Sequence, residues 1–476
     1  DKEKLQMFTR ELRERIDEEL HPSVRDTMWE TMANAANQFT FMWLLTGAKS
    51  AIINMTALPI FGAPVLASRY GVAQTAKVMG GYTKIWNHTT FIKADPSGKL
   101  GYTPLSIGLS KYVQTNPILS AAFEDAAERG VTEITRTYDL LSMARTPSEK
   151  YTHGVSKAVR GGINLMGALF HHSERINREI MYMTSFELAY DKAVKDGLAE
   201  GVDGPAYNRA VEEAVKNTYD SMFNYTKFNR PTAMRPWPLR VALQFKMFPQ
   251  QVTAYFVRNF VGGTRAMYDT IKNIADEQER NAALADLKEH STQFFGTLLM
   301  VGLFAGLGGM PLYSAIVGTI QGVLAALRDD DEFVPFEERD LDFWFRYVYL
   351  PEKFGDQMAN LIMRGPVSAV SGLDVSGSTS LNGLWFRDSQ DAATMVEGYR
   401  NIVASLLGPT GAVVENFAKG VEDWNDGHLS EAVEKFLPAA FKGSAAATRW
   451  ADEGILSKTS KATLMDKDEV TKSMLF

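Results

Sequence analysis

The amino-acid sequence predicts an all-α fold built from long helices. Apolar side chains recur at helical spacing along most of the chain, as at Phe8, Leu12, Ile16 and Leu20 between charged neighbours. No pair of alternating β-type segments is joined by a hairpin signal such as Asn-Gly. Glycine and proline interrupt the periodic segments, as is typical of turns between helices. We therefore expect an elongated multi-helix assembly with long helices and extended loops.

The individual helices follow from this periodicity in chain order. Residues 2–20 form a predicted amphipathic helix, and two long predicted helices, rich in Ala, Met, Glu and Lys, are separated by the break from Gly197 to Gly204. The predicted helices after the first are 155–196, 205–224, 239–262, 264–289, 338–362, 390–407 and 429–440. Turns are predicted at residues 95–98 (DPSG) and at residues 364–366 (RGP), and the Gly/Ser-rich segment 371–386 is predicted to be a loop.

Two stretches of the chain are unusually apolar. Between Glu30 and Arg69 the only charged residue is Lys49, and from Gln293 to Leu327 there is none. Residues 308–311 (GGMP) should divide the second stretch into two arms of roughly fifteen residues, each shorter than the about 20 residues of a bilayer-spanning helix. This Gly/Pro-broken apolar hairpin is predicted either to be buried in a large core or to contact a bilayer only after a conformational change. The candidate membrane-contact residues are Phe294, Phe295, Leu298, Leu299, Leu303, Phe304, Ile316, Ile320 and Leu324.

These observations divide the chain into four predicted regions. Residues 1–150 are an N-terminal helical region that contains the apolar segment 31–68. Residues 151–290 are a long-helix region that contains a basic-aromatic segment at 221–268. Residues 291–365 hold the apolar helical hairpin and an acidic segment, and residues 366–476 hold the Gly/Ser loop and the C-terminal helices. Since the chain begins Asp1-Lys2-Glu3-Lys4, with neither Met nor a signal peptide, we expect it to be part of a longer polypeptide.

The sequence carries no recognisable catalytic motif. It has no cysteine, which excludes disulfides, zinc–thiolate sites and Cys nucleophiles. Walker A, G-x-S-x-G, H-E-x-x-H and G-x-G-x-x-G patterns are also missing. Adjacent helical residues point about 100° apart, so His171 and His172 cannot both ligate one ion in regular geometry. We therefore predict a non-enzymatic protein without a catalytic, metal or cofactor site.

The basic-aromatic segment, residues 221–268, is the strongest candidate for a binding surface. It holds seven Lys or Arg residues and no Asp or Glu, although the whole chain has 57 acidic and 50 basic residues. The candidate DNA-facing or partner-facing residues are Arg230, Arg235, Arg240 and Lys246, and the interspersed aromatic residues are Phe245, Phe248, Phe256 and Phe260. Basic residues interleaved with aromatic ones suit nucleic-acid binding. Two alternatives are a lipid headgroup contact and pairing with the acidic segment 329–342.

Four blocks in this order resemble the ejection (internal virion) proteins of short-tailed bacteriophages, specifically the C-terminal helical region of very large phage polypeptides of the PLxRFG type. The blocks are 50–72 (SAIINMTALPIFGAPVLASRYGV), 173–178 (SERINR) before Gly197, 224–260 (NYTKFNRP, then FKMFPQQ and RNF), and 371–381 (SGLDVSGSTSL). Together they cover about residues 40–410. The PLxRFG string itself and a lytic transglycosylase pattern are missing, so any enzymatic activity of the parent polypeptide would lie elsewhere.

The resemblance implies a protein that is packaged in the capsid near the portal and passes through the tail. It would then reassemble in the host periplasm and inner membrane as part of a conduit for the genome. The implied partners are further copies of itself, other ejection proteins, the portal, double-stranded DNA bound without sequence preference, and the inner membrane. The alternatives are an internal core protein that only packs against the portal, and the carrier region of a giant virion enzyme such as an RNA polymerase.

Overall fold

The structure is a computed structural model. The residues that it describes form α-helices almost throughout. The described residues are 48–87, 92–94, 100–102, 106–132, 157–224, 246–274, 276–311, 341–371, 376–382, 408–437, 455–456 and 463–465, together with isolated positions such as Tyr313, Ile316 and Ile320. The all-α prediction is confirmed.

The first helices run α1 (Ala48–Met55), a π-helical turn (Leu58–Gly62), α2 (Ala63–Tyr70) and α3 (Val72–Asn87). A hairpin of β1 (Ile92–Ala94) and β2 (Leu100–Tyr102) precedes a 3₁₀ turn (Ile107–Leu109), α4 (Lys111–Thr115) and α5 (Pro117–Glu128). The long helices are α6 (Lys157–Lys195), α7 (Pro205–Met222), α8 (Met247–Lys272) and α9 (Glu277–Ala305).

After α9 come a 3₁₀ turn (Leu307–Gly309), α10 (Leu341–Trp344), a π-helical turn (Phe345–Tyr349), α11 (Leu350–Phe354), α12 (Asp356–Arg364), α13 (Pro366–Ser371) and α14 (Ser376–Thr379). The last elements are α15 (Gly408–Asn425), α16 (Leu429–Phe436) and a hairpin of β3 (Ile455–Leu456) and β4 (Thr463–Met465). Two predicted helices, 2–20 and 390–407, lie outside the continuously described residues.

The predicted boundary between α8 and α9 is wrong. Residues 262 and 263 were expected to separate two helices, but α8 runs through both glycines. A Cβ on Gly262 would lie 2.5 Å from Nε2 of His290, so these glycines allow close approach between α8 and α9. The actual break follows Lys272, and α9 begins where the carboxylate of Asp276 accepts hydrogen bonds from the backbone amides of Gln278 (2.9 Å) and Glu279 (3.0 Å).

Two other local expectations are also corrected. The two short hairpins were missed because strands of two or three residues are too short to carry an alternating pattern. In the first hairpin Ile92 pairs with Tyr102, and the predicted turn at residues 95–98 lies outside the described residues. Within the predicted loop 371–386, residues 376–379 form the helical turn α14, whereas the predicted helix end at Arg364 is confirmed.

A single hydrophobic core joins the helices around α6. Its buried residues extend from Leu58 to Leu381 and come from all four predicted regions. The predicted region boundary at residues 290 and 291 lies inside α9. Nearly every side chain of α6 from residue 172 to residue 189 is buried, which makes this helix the centre of the core. A smaller cluster contains Tyr313, Leu350, Ala359 and Met363.

The ends of α9 and α12 meet at two glycines in the left-handed region of φ. Gly306 (φ +66) ends α9, and Gly365 (φ +84) ends α12. A Cβ on Gly365 would lie 2.7 Å from the carbonyl oxygen of Leu303 and 2.8 Å from the amide nitrogen of Gly306. The two backbones therefore touch with no room for a side chain between them.

Candidate interaction surfaces

The basic-aromatic segment is described only in its C-terminal part. Arg230, Arg235 and Arg240 lie outside the described residues, and Lys246 stands at the start of α8. Lys246 is half-buried, and this burial lowers the pKa of its ammonium group. Of the four charged candidates, only Lys246 can therefore be placed.

Two further arginines of the segment pair with aspartates just outside its ends. Nη1 of Arg258 lies 2.8 Å from Oδ1 of Asp220, and Nε of Arg265 lies 3.9 Å from Oδ2 of Asp269. Asp342, at the end of the acidic segment, instead accepts a 2.7 Å hydrogen bond from Arg346 on its own helix. Residues 329–340 of the acidic segment lie outside the described residues, so pairing between the basic and acidic segments stays a prediction.

The aromatic residues of the basic-aromatic segment mostly pack in the core. The ring of Phe248 lies 6.3 Å from that of Phe61, and the ring of Phe256 lies 5.5 Å from that of Phe294. Phe260, by contrast, is 63% exposed, and Phe245 lies outside the described residues. Phe248 and Phe256 are thus packing residues, which leaves Phe260 as a surface aromatic residue.

The first arm of the apolar hairpin is the C-terminal part of α9, and it lies on the surface. Phe295 is 66% and Leu299 is 64% exposed, whereas Val301 and Ala305 on the opposite face are buried. The predicted break occurs at Gly306, two residues earlier than expected. This arm is therefore buried in the core on one face and exposed on the other.

The other membrane-contact candidates have mixed positions. Leu303 is exposed, and Phe294, Leu298 and Phe304 are half-buried. Ile316 and Ile320 are exposed, and Leu324 lies outside the described residues. Within the described ranges, no helix combines the length and the apolar character needed to cross a membrane.

The SERINR block, residues 173–178, forms a polar contact between helices inside the core. The side-chain amide of Asn54 donates to Oγ of Ser173 (3.1 Å), and the side-chain amide of Asn177 donates to the carbonyl of Asn54 (2.7 Å). Nη2 of Arg178 donates to the carbonyls of Met222 (3.1 Å) and Phe223 (2.6 Å) at the end of α7. This block therefore joins α6 to both α1 and α7.

The next residue on α6, Glu179, anchors the turn before α4. Its carboxylate accepts hydrogen bonds from the backbone amide of Ile107 (2.8 Å), the hydroxyl of Ser106 (3.0 Å) and Nε of Arg175 (2.9 Å). The carboxylate is fully buried, and its removal from water raises its pKa in spite of these partners.

A second polar network centres on Arg69 of α2. Its Nε lies 2.9 Å from Oε1 of Glu289 on α9, and its Nη2 lies 3.3 Å from Oδ2 of Asp220 on α7. Arg69 also donates to the side-chain carbonyl of Asn217. Through these contacts the SAIINM…SRYGV block is fixed to the two helices that flank it.

These internal networks were not predicted, although the sequence contained a signal for them. Ser173 and Asn177 are polar residues four apart, on a helix face that they share with Met166 and Ile180. Such residues indicate buried hydrogen bonds between helices. Within the described ranges, no three His, Asp or Glu side chains are grouped so that they could hold a metal ion.

Comparisons of the chain with protein-family models, with curated proteins and with solved structures found no match.

Proposed function

We propose that this chain is a non-enzymatic virion protein of a short-tailed bacteriophage. In this proposal it is stored in the capsid, passes into the host envelope and forms part of the conduit for genome entry. The ordered sequence blocks support this class of protein. The proposed partners are further copies of the chain, other ejection proteins, the portal, the passing double-stranded DNA and, after ejection, the inner membrane.

The observation that carries the proposal is the exposed apolar face at the end of α9. Phe295 and Leu299 are each about two-thirds exposed, in a part of α9 and its following turn, residues 293–311, that has no charged residue. Burying such a side chain stabilises a state by about 1.5–3 kcal/mol. Burial of this face in a second environment, such as a membrane or a partner, would therefore be favourable. This is expected of a protein that moves from a virion to an envelope.

The hydrogen bonds of the SERINR block favour a structural role for this block. Ser173, Asn177 and Arg178 are buried, and each bonds to another part of the core. Such buried polar groups hold helices in position, and a substrate cannot reach them. This arrangement supports the role of the block as part of an assembly module.

Liposome flotation tests the membrane part of the proposal. The double substitution Phe295→Asp and Leu299→Asp places two carboxylates on the exposed face of α9. Because charged groups disfavour an apolar environment, we expect the flotation of this variant, measured after mild unfolding and refolding on the liposomes, to fall at least several-fold below that of the wild type.

The matched control is Asn281→Asp with Ala285→Asp, which adds the same charge at exposed positions in the polar half of α9. It should float as well as the wild type. If the wild-type chain fails to float both before and after unfolding, the membrane contact is wrong and a purely structural role inside the virion is favoured.

The role of the basic residues is tested separately in phage. Charge reversal of Arg235 and Arg240 should leave virion assembly intact and lower the efficiency of genome injection. Normal injection by this variant would remove these residues from the proposed DNA-facing or partner-facing surface.

A further inference from the structure

Helix α8 exposes a row of mainly apolar side chains with the spacing of a coiled coil. Val257, Val261, Tyr268 and Ile271 are each more than half exposed, and Thr264 between them is also exposed. The intervals between these five residues are 4, 3, 4 and 3 residues. A 4-3 repeat places side chains along one line of a helix, where a second helix can pack against them. We call these five residues the α8 seam.

The two edges of the α8 seam differ in chemistry. Arg258, Arg265 and Lys272 recur every seven residues along one edge, and all three are exposed. The other edge carries Phe260 and Met267, again seven residues apart and more than half exposed. In the heptad of a coiled coil these are the two flanking positions, which select the partner helix.

Contacts with neighbouring helices fix the direction of each edge. Arg258 pairs with Asp220, so the basic edge lies on the side of α7. The ring of Phe260 lies 6.2 Å from that of Phe294, so the apolar edge lies on the side of α9. Arg258 is partly neutralised by Asp220, whereas the side chain of Arg265 is 84% exposed and its nearest carboxylate, Asp269, lies at 3.9 Å. The positive charge of Arg265 is therefore less neutralised than that of Arg258.

From this geometry we propose that the α8 seam docks an amphipathic helix of a partner protein that carries acidic residues on the edge facing Arg265 and Lys272. The apolar positions of that helix would pack on Val257, Val261, Tyr268 and Ile271. Its second edge would be apolar, because it faces Phe260 and Met267. This inference goes beyond the proposed function, which assigns no contact to this face.

A second copy of the chain suits the α8 seam less well than such a partner. In an antiparallel pair of seams, Arg265 of one copy would face Arg265 of the other, and Arg258 would face Lys272, so like charges would meet. In a parallel pair the basic edge would face Phe260 and Met267, which offer no counter-charge. Neither arrangement provides the carboxylates that the basic edge favours.

An anionic bilayer also suits this face less well. Glu277, Glu279 and Asp286 are exposed on the N-terminal half of α9, which follows α8 directly. A flat anionic surface that covers the C-terminal end of α8 would bring its headgroups close to these carboxylates, which would repel them. A single helix that follows the α8 seam can meet the basic edge without meeting the start of α9.

Designed peptides test the proposal on the full chain. The probe is a 21-residue helical peptide with leucine at its seam positions and glutamate at both flanking positions, so that a row of glutamates meets the basic edge whichever way the peptide runs. The matched peptide has lysine in place of each glutamate. The row that faces Phe260 and Met267 is charged in both peptides, so the comparison between them reports the basic edge. Like charges keep both peptides from pairing with themselves. By fluorescence anisotropy we expect the glutamate peptide to bind at least ten-fold more tightly than the lysine peptide.

Three variants locate the bound peptide. Arg265→Glu with Lys272→Glu should reverse the preference between the two peptides. Lys195→Glu with Lys216→Glu makes the same change in net charge at exposed sites on α6 and α7. This control should still bind the glutamate peptide more tightly than the lysine peptide. Val261→Glu with Ile271→Glu should abolish binding of either peptide without altering the circular dichroism spectrum, because both side chains are exposed.

Three results would overturn the proposal. The first is equal binding of the two peptides, or binding that survives Val261→Glu with Ile271→Glu. The second is self-association of the wild-type chain in sedimentation that this variant abolishes, because the occupant would then be a second copy. The third is flotation with anionic vesicles that the same variant abolishes, because the occupant would then be a bilayer.

Discussion

Arg178 is the largest fully buried side chain in the described part of the protein. Its Nη2 donates hydrogen bonds to the carbonyls of Met222 and Phe223, at the point where α7 ends. Phe223 has a φ of +57, a conformation that costs an L-residue about 1–3 kcal/mol. Its ring packs 5.2 Å from that of Phe61. The buried guanidinium thus stabilises a strained residue that has an aromatic contact in the core.

Arg178→Ala should therefore lower the free energy of unfolding by about 3 kcal/mol or more. The substitution removes two hydrogen bonds to buried carbonyls and leaves a cavity in the core. Urea unfolding followed by circular dichroism measures this loss. Lys195→Ala, at an exposed position on the same helix, should stay within about 0.5 kcal/mol of the wild type. A small effect of both substitutions would show that Arg178 does not hold the end of α7.

Glu179 gives a pH dependence with a defined sign. Burial raises its pKa in the folded protein above that of the unfolded chain, about 4.3. Its contribution to stability is therefore present below that value and is lost as the pH rises through the folded-state pKa. Glu179→Gln removes this loss, so the stability of the variant relative to the wild type should rise between pH 4 and pH 7.

Urea unfolding at several pH values checks this trend. Glu212→Gln, at an exposed position on α7, is the control, and its stability relative to the wild type should not rise in the same way. A constant difference between Glu179→Gln and the wild type would contradict the assigned direction.

At the scale of residues, the sequence indicated which residues matter but not which groups they contact. SERINR was singled out as a block of a phage family, and three of its members lie in the core and bond to other helices. Their partners, Asn54 and the carbonyls of Met222 and Phe223, are 44 to 123 residues away along the chain. Periodicity reports which face of a helix is buried, but not which distant group that face meets.

At the scale of elements, the contact between Gly306 and Gly365 joins the ends of α9 and α12. Gly365→Ala should lower the free energy of unfolding more than Gly355→Ala does. Both glycines have nearly the same backbone angles, φ +84 and ψ 152 for Gly365 and φ +79 and ψ 158 for Gly355. The two substitutions therefore carry a similar backbone strain of about 1–3 kcal/mol.

The two sites differ only in the space around the added methyl group. At Gly355 nothing lies within 4 Å of the Cβ position, whereas at Gly365 the carbonyl oxygen of Leu303 lies 2.7 Å away. The difference between the two variants in urea unfolding measures the backbone contact itself. Equal losses of stability would show that α9 and α12 can separate without cost.

The long helices were well predicted where apolar periodicity and flanking breaks agree. The predicted 155–196 and 205–224 correspond closely to Lys157–Lys195 and Pro205–Met222. The prediction of the α8–α9 boundary was wrong because glycine has two structural roles that a single sequence does not distinguish. It can end a helix, as Gly306 does, or admit a neighbouring helix, as Gly262 does beside His290.

At the scale of the molecule, the main core extends to Leu381, whose backbone amide donates a 2.9 Å hydrogen bond to the carbonyl of Gly309. Among the described residues, those after 382 contribute no member to this core. A chain that ends at residue 382 should therefore keep a single cooperative thermal transition with nearly the wild-type midpoint.

A chain that ends at residue 370 is the matched comparison. It lacks Leu381 and its hydrogen bond to Gly309, and it should melt several degrees lower because a buried leucine and its contacts are lost. Equal melting temperatures of the two shortened chains would show that the core ends before α14.

The all-α class could be predicted because it depends on local periodicity. The exposed face of α9 could not, because an uncharged segment fits a buried helix and a surface helix equally well until its neighbours are known. Val301 and Ala305 of α9 pack in the main core, and Phe295 and Leu299 are left on the exposed side of the helix.

The network around Arg69 also constrains the order in which the protein can fold. It joins Arg69 to Asn217 and Glu289, which stand 148 and 220 residues further along the chain. A ribosome that adds residues from the N-terminus must therefore produce most of α9 before α2 can reach its native contacts. The same holds for passage through any narrow channel when the N-terminal end of the chain leads. Helix α2 and the π-helical turn before it then have Ile60, Phe61, Val65 and Leu66 incompletely packed. We therefore expect this chain to be most exposed to aggregation and to chaperones in the interval before α9 emerges.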